Sequence, residues 1–239
     1  MTAELSPIPL WKLLIAFAPT LGLLWVMHRW SLDARGALWA NARMLVQLLA
    51  VGFVLTYVFE TDRPWLIAGV VTMMVSVSAW IALRPLRHAT RRSYWHALAG
   101  IGISGLLMLA LVTQGVLDLP RAFEPRFVVP LAGMIFANTM NTVSLAAERF
   151  EAESGRGEAP GDARRVALEA SMIPQVNALL AVGLVSLPGM MTGQILSGVE
   201  PLVAVRYQIM VMCMVFGSGG LGAATYLTLA QRARLRDES

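Results

Sequence analysis

The sequence predicts an all-α polytopic membrane protein, a bundle of seven transmembrane helices with its N-terminus outside and its C-terminus in the cytoplasm. Three observations lead there. Of 239 residues, 56% are hydrophobic and only 14% charged, where an ordinary soluble domain carries about 25% charged residues. The apolar residues gather into seven blocks, each close to the ~20 residues that a helix needs to cross a ~30 Å hydrocarbon layer. The basic residues alternate between sparse and dense from one loop to the next. Together these exclude a soluble enzyme, a disordered chain and a fibrous protein. The 10-residue alternation of a membrane barrel is absent, and lipid offers the backbone no hydrogen bonds, so helices are the spanning form.

The first block, 8–27, follows Glu4 rather than a basic segment and has no small-residue cleavage site after it, so it reads as a span and not a signal peptide. The second, 38–59, carries Arg43 and Gln47; the third is 65–83. The fourth, 95–117, contains Gly102-Ile-Ser104-Gly. The fifth, 127–147, holds Asn138, Asn141 and Thr142. A charged, glycine-rich stretch (151–161) then leads into 162–173, where Ala163, Val166, Ala167, Ala170 and Ile173 recur at helical spacing opposite Arg164, Arg165 and Glu169. That pattern predicts a short amphipathic helix along the inner membrane face. The sixth block, 176–198, is interrupted by Pro188-Gly189, and the seventh, 207–230, contains Gly217-Ser-Gly-Gly-Leu-Gly222. The connections are short, so residues 1–239 read as one transmembrane domain. No internal repeat is visible, which leaves an inverted-repeat transporter without support.

Orientation follows from the arginines. With the N-terminus outside, fourteen of the nineteen basic residues fall in the inner loops and tail, among them Arg84, Arg87, Arg91 and Arg92. Lys12, Arg63, Arg121, Arg126 and Arg206 remain outside. Basic residues concentrate on the cytoplasmic side of membrane proteins, and this placement, rather than nucleic-acid binding, accounts for the net charge of +4.

Several chemistries are excluded or disfavoured. The single cysteine, Cys213, permits neither a disulfide framework nor a cysteine zinc site. A retinal protein needs a lysine in its last helix, and the only lysine is Lys12. The Gly-x-Ser-Gly string matches intramembrane serine proteases, but His28, His88 and His96 all precede Ser104 at or beyond helix ends, so small residues easing helix packing are the better account. The glycine run at 217–222 lacks the Lys-Ser/Thr of a phosphate-binding loop. The acids Glu60, Asp62, Asp118, Glu124, Glu148, Glu169 and Glu200 all lie at span ends or in loops. An ion-coupled carrier needs an ionisable relay at depth, so a stand-alone proton-driven mechanism is disfavoured.

What lies at depth is neutral and polar. Asn138, Asn141 and Thr142 share one helical face, while Gln47, Gln175, Asn177, Gln194 and Gln208 lie nearer span ends. Such groups either bond helix to helix, at ~0.6–2 kcal/mol each, or line a path through the bundle. Pro188 removes a backbone donor and Gly189 adds freedom, which predicts a hinge or unwound segment in the sixth span. Met190 and Met191 follow at once. Their thioethers either pack or touch a soft metal, and the same choice applies to Met210, Met212, Cys213 and Met214.

Three stretches resemble a known family. Residues 131–146 (LAGMIFANTMNTVSLA), 183–198 (GLVSLPGMMTGQILSG) and 199–212 (VEPLVAVRYQIMVM) are similar to the membrane subunit of the Fet-type ABC transporters, the FetB-like permeases. Residues 43–48 (RMLVQL) share the likeness, which extends over most of the chain, and the LPGMMTGQIL string is specific. Ala137 departs from the glycine of that family before the asparagine. Bacterial members are linked to iron export and plant relatives to aluminium tolerance, with a sugar nucleotide proposed as cargo.

The resemblance implies a permease subunit of the bacterial inner membrane, not itself an enzyme, exporting iron or another metal. Its ATP and Mg would sit on a separate cytoplasmic ATPase, with two copies of each chain. The candidate path is Gln47, Asn138, Asn141, Thr142, Met190, Met191 and Gln194; the hinge is Pro188 and Gly189; Arg164, Arg165 and Glu169 would couple to the ATPase. The residues suggest no metal-ligand cluster. A permease for another small solute, a secondary carrier and a non-transporting scaffold are the alternatives.

Overall fold

The computed structural model describes residues 9–59, 63–119 and 124–237. Ile8, Glu60, Asp62 and Arg121 lie outside the described residues. Those described are helical almost throughout, and the helices are α1 (Leu10–Arg29), α2 (Ala34–Phe59), α3 (Pro64–Ala82), α4 (Arg91–Ala110), α5 (Pro125–Gly155), α6 (Pro160–Ala181), α7 (Gly189–Leu196) and α8 (Pro201–Asp237). Prolines open α3, α5, α6 and α8, where the missing N–H is one that a helix start leaves unpaired. Thr90 caps α4, its hydroxyl accepting from the Ser93 N–H at 3.1 Å. Residues Leu111–Val116 prolong α4 as a π-helical turn.

Among the described residues, five helical stretches are long and apolar enough to cross a membrane: Trp11–Arg29, Pro64–Ala82, Arg91–Val116, Pro125–Gly155 and Pro201–Arg236. The remaining expected spans, 38–59 and 176–198, map onto α2 and onto the discontinuous pair α6–α7. Large apolar side chains stand exposed on the helix exteriors, including Leu14, Leu49, Trp80 and Leu107, as suits a lipid solvent rather than water.

Contacts group the chain into two compact units, Met1–Thr61 and Asp62–Ser239. In the first, α1 and α2 pair with each other. In the second, α8 is the central post: α4, α5 and α6 all pack along it, α3 closes against α4 and α5, and α7 touches α8. Its core is apolar, with Ile67, Ile101, Ile135, Phe136, Val143 and Leu227 fully buried. Two of the hydroxyls inside it turn back onto their own helices: Ser104 donates to the Gly100 carbonyl (2.6 Å) and Thr113 to that of Leu109 (2.8 Å), whereas the Thr139 hydroxyl is buried without a hydrogen-bond partner among the described residues.

The small residues of the fourth and last spans do ease packing. A Cβ on Gly222 would stand 2.5 Å from Thr139 Cγ2 and 2.9 Å from Ser104 Oγ; one on Gly105 would meet the Phe136 ring at 2.5 Å. These glycines let α4, α5 and α8 approach within side-chain-free distance.

Two boundaries differ from the sequence expectation. The fifth span does not stop at 147 but continues to Gly155, because Phe150 and Glu153 extend its buried face. The amphipathic segment 162–173 is not a separate short helix either; it is the first half of α6, which runs on through Pro174 to Ala181. Its buried positions are Ala163, Ala167 and Ser171, whereas Ile173, expected on that face, is exposed. The side packed on α5 and α8 is therefore a small-residue stripe at i+4 spacing.

Candidate functional site

Two cavities lie along α5 and α8 and share Met134. The larger, about 620 Å³, is lined by residues including Arg126, Met190, Gln194, Tyr207 and Met210. The smaller, about 190 Å³, takes in Asn138, Gln175, Leu179, Met212 and Phe216. The α5 wall includes a stripe in which Arg126, Pro130, Met134 and Asn138 each follow the last by four residues, so they stand one above another on one helix face, with Phe127 and Leu131 beside them. Val203, Tyr207, Val211 and Val215 repeat that spacing on α8.

Thr142 takes the α5 stripe one step further. It is buried, its hydroxyl donates to the Asn138 carbonyl at 3.0 Å, and it accepts from Gln175 Nε2 at 2.9 Å. Asn138 donates through Nδ2 to the Met134 carbonyl at 2.9 Å. In the larger cavity the Gln194 carbonyl oxygen is buried without a hydrogen-bond partner among the described residues, as is that of Gln208 on α8. Buried acceptors left open are costly unless water or a solute reaches them. The cavities are thus mostly apolar, with amide oxygens and thioethers among the groups that present lone pairs to a solute. Among the described residues no group of three His, Cys, Asp or Glu side chains stands ready to hold a metal ion.

The break after α6 is a tight loop. The Gly183 N–H donates to the Ser186 carbonyl at 3.0 Å, and the Val185 N–H to that of Ala181 at 2.8 Å. Gly183 (φ +82°) and Gly198 (φ +91°) take the left-handed conformation on either side of α7, which side chains disfavour. Pro188 caps α7 and Gly189 begins it; Thr192 donates through both its N–H (3.0 Å) and its hydroxyl (3.1 Å) to the Pro188 carbonyl.

Of the residues singled out from sequence, Asn138, Met190 and Gln194 line the cavities, and Thr142 joins them through Gln175. Asn141 is exposed on α5 and Met191 lines neither cavity. Gln47 is exposed on α2, in the first unit. Arg164, Arg165 and Glu169 are all exposed on α6, where Arg165 and Glu169 form only a loose pair at 3.9 Å. Sequence reasoning passed over Arg126, Met134 and Tyr207. The i+4 register with Asn138 was the signal that could have found the first two.

The family model described as "Uncharacterised protein family (UPF0014)" matches residues 10–234. The UPF0014 membrane protein slr1647 of Synechocystis is 37% identical over 193 residues, covering 74% of either chain. The probable iron export permease protein FetB of Escherichia coli is 32% identical over 208 residues, 80% of this chain and 79% of that one. The protein ALUMINUM SENSITIVE 3 of Arabidopsis thaliana is 30% identical over 203 residues, 79% and 73%. No solved structure matches. With a fold of apolar helices and a family match across nearly its whole length, the chain belongs to the UPF0014 family of membrane proteins.

Proposed function

We propose that this chain is the membrane-spanning permease subunit of an ATP-driven ABC exporter of iron or another metal. It crosses a bacterial inner membrane seven times as one transmembrane domain, N-terminus outside, and works as two copies with a separate cytoplasmic ATPase that holds ATP and Mg. The likeness to a probable iron export permease supports the cargo class. The observation that carries the reading is the continuity of α6. One unbroken helix leads from exposed Arg164, Arg165 and Glu169 to Gln175, which is bonded to Thr142 and lines the smaller cavity.

A helix transmits displacement along its axis because successive turns are hydrogen-bonded to one another, and α6 continues past Pro174, which lacks an N–H, to Ala181. ATPase closure against the charged start of α6 would shift Gln175 and Leu179 relative to α5. The loop 182–188 would absorb that movement, so that α7, carrying Met190 and Gln194, need not follow rigidly. The chain would thereby change the width of the path without an ionisable relay of its own.

The test is copurification with a small Walker-type ATPase, followed by hydrolysis measurements on the reconstituted complex. Stimulated hydrolysis should fall in Arg164→Glu/Arg165→Glu. An assembled complex with undiminished stimulation in that variant would refute coupling through α6, and vectorial transport by the purified chain alone would refute the ATPase requirement.

A further inference from the structure

The segment between α6 and α7 lies where a bilayer would not leave it bare. Leu179, near the end of α6, lines the smaller cavity with Asn138, at the middle of the fifth block. Met190, at the start of α7, lines the larger cavity with Met134, one turn away on α5. Residues 182–188 therefore leave α6 and enter α7 at membrane depth in the topology proposed here. Their backbone is not helical, and Leu184 and Val185 are 90% and 85% exposed. Irregular backbone persists inside a membrane only where protein covers it or where it lines water. Leucine and valine side chains are unsuited to a water-filled channel, so protein is the cover that fits.

The second half of α6 leads into this segment along a face with the same need. Ile173, Val176, Asn177 and Leu180 are exposed and follow the three-and-four spacing of a helix seam. Gln175 and Leu179, which line the smaller cavity, fall toward the other side of the helix. Gln175 is bonded to Thr142, five residues inside the end of the fifth block at 147. Asn177 therefore lies about 10 Å within the hydrocarbon at 1.5 Å per residue. A side-chain amide at that depth needs a hydrogen-bonding neighbour, which acyl chains do not provide.

From 170 to 199 the chain has no charged residue, so this face gives a charged partner nothing to recognise. It presents apolar side chains around one amide, and an amide both donates and accepts. Such a face complements a copy of itself about a twofold axis, much as a single asparagine in an apolar seam fixes the pairing of coiled-coil helices. We propose that a second copy of this chain packs here. The 173–180 face of α6 and the 182–188 segment of one protomer meet the same elements of its partner, and the two Asn177 amides bond across the contact. This rests on the two-copy reading and assigns it a face. It also sets α6 between the smaller cavity and the other protomer, so a shift of α6 in one copy is passed to its partner.

The test uses membranes carrying the full chain with its ATPase, in two differently tagged copies. The photoreactive residue p-benzoylphenylalanine, which captures whatever lies beside it, replaces Asn177 or Leu184, each alone; Leu107 on α4, 67% exposed, is the control. Irradiation at Asn177 or Leu184 should give adducts of two chains that carry both tags, clearly above the yield at Leu107. Adducts within a single chain would assign the cover to another part of the same polypeptide. That result, no two-tag adduct from either position, or an equal yield at Leu107 overturns the proposal. ATP hydrolysis by the same membranes reads the motor separately. Stimulated hydrolysis without two-tag adducts refutes this face alone, whereas two-tag adducts without stimulation uphold the face and refute the ATPase coupling.

Discussion

The Gln175 side-chain amide donates to the Thr142 hydroxyl oxygen at 2.9 Å, tying α6 to α5, while Gly219 of α8 stands so close that a Cβ there would lie 3.0 Å from that same oxygen. Three helices therefore meet on one polar contact. Gln175 bonds helix to helix and also borders the smaller cavity, the one assigned above to the proposed path. A double-mutant cycle of Thr142→Val and Gln175→Leu, read by denaturation in detergent, should give a coupling energy of ~0.6–2 kcal/mol. A coupling indistinguishable from zero would mean that the contact does not hold α6 in place.

Packing at the α4–α8 crossing gives a sharper stability contrast. Gly222→Ala places a methyl 2.5 Å from Thr139 Cγ2 and 3.3 Å from the Gly100 carbonyl oxygen, with backbone on one side that cannot step away. It should cost about 1–3 kcal/mol. Gly69 in α3 has nothing within 4 Å of its would-be Cβ, so Gly69→Ala should be neutral or stabilising by up to about 1 kcal/mol. Thermal midpoints of the two variants against the parent decide it; equal effects would contradict the close approach of α4 to α8.

That contrast also marks what a sequence can reveal about such a fold. Gly69 and Gly222 look alike in a string of letters, because closeness is set by the neighbouring helix. The apolar blocks were legible since hydrocarbon imposes one length on every span, and the break after α6 was legible from Pro188. The left-handed glycines bounding α7 are Gly183 and Gly198, which carry no local mark distinguishing them from Gly189. Asn138 was visible as an amide at depth. Met134, one turn earlier on the same wall, was hidden among fourteen methionines that a packed core also favours.

Glu153 shows how a charge can extend a helix beyond its expected end. It is 6% exposed and accepts from Arg149 at 2.7 Å and Arg156 at 2.8 Å, one on each side along α5. Removing the charge with Glu153→Gln leaves two guanidinium groups competing for a neutral acceptor and should cost about 2 kcal/mol. The Arg165–Glu169 pair, at 3.9 Å and largely exposed, provides the comparison: Glu169→Gln should change stability by less than about 0.5 kcal/mol. Chemical denaturation of both variants checks the ordering, and a larger loss at Glu169 would reverse the assignment of which pair holds the helices.

The two asparagines of α5 separate a path from a mere polar band. Asn138 borders the smaller cavity and donates its side-chain N–H to the Met134 carbonyl. Asn141 is exposed and borders neither cavity. In proteoliposomes with the ATPase partner, Asn138→Leu should lower transport by roughly tenfold or more, the rate equivalent of one lost polar contact in the narrow part of the path. Its leucine fills space already lined by apolar groups, so stability should change by less than about 1 kcal/mol. Asn141→Leu should transport at near the parent rate. Full transport by Asn138→Leu would place the route elsewhere than along the Arg126–Pro130–Met134–Asn138 stripe, whatever the second variant did.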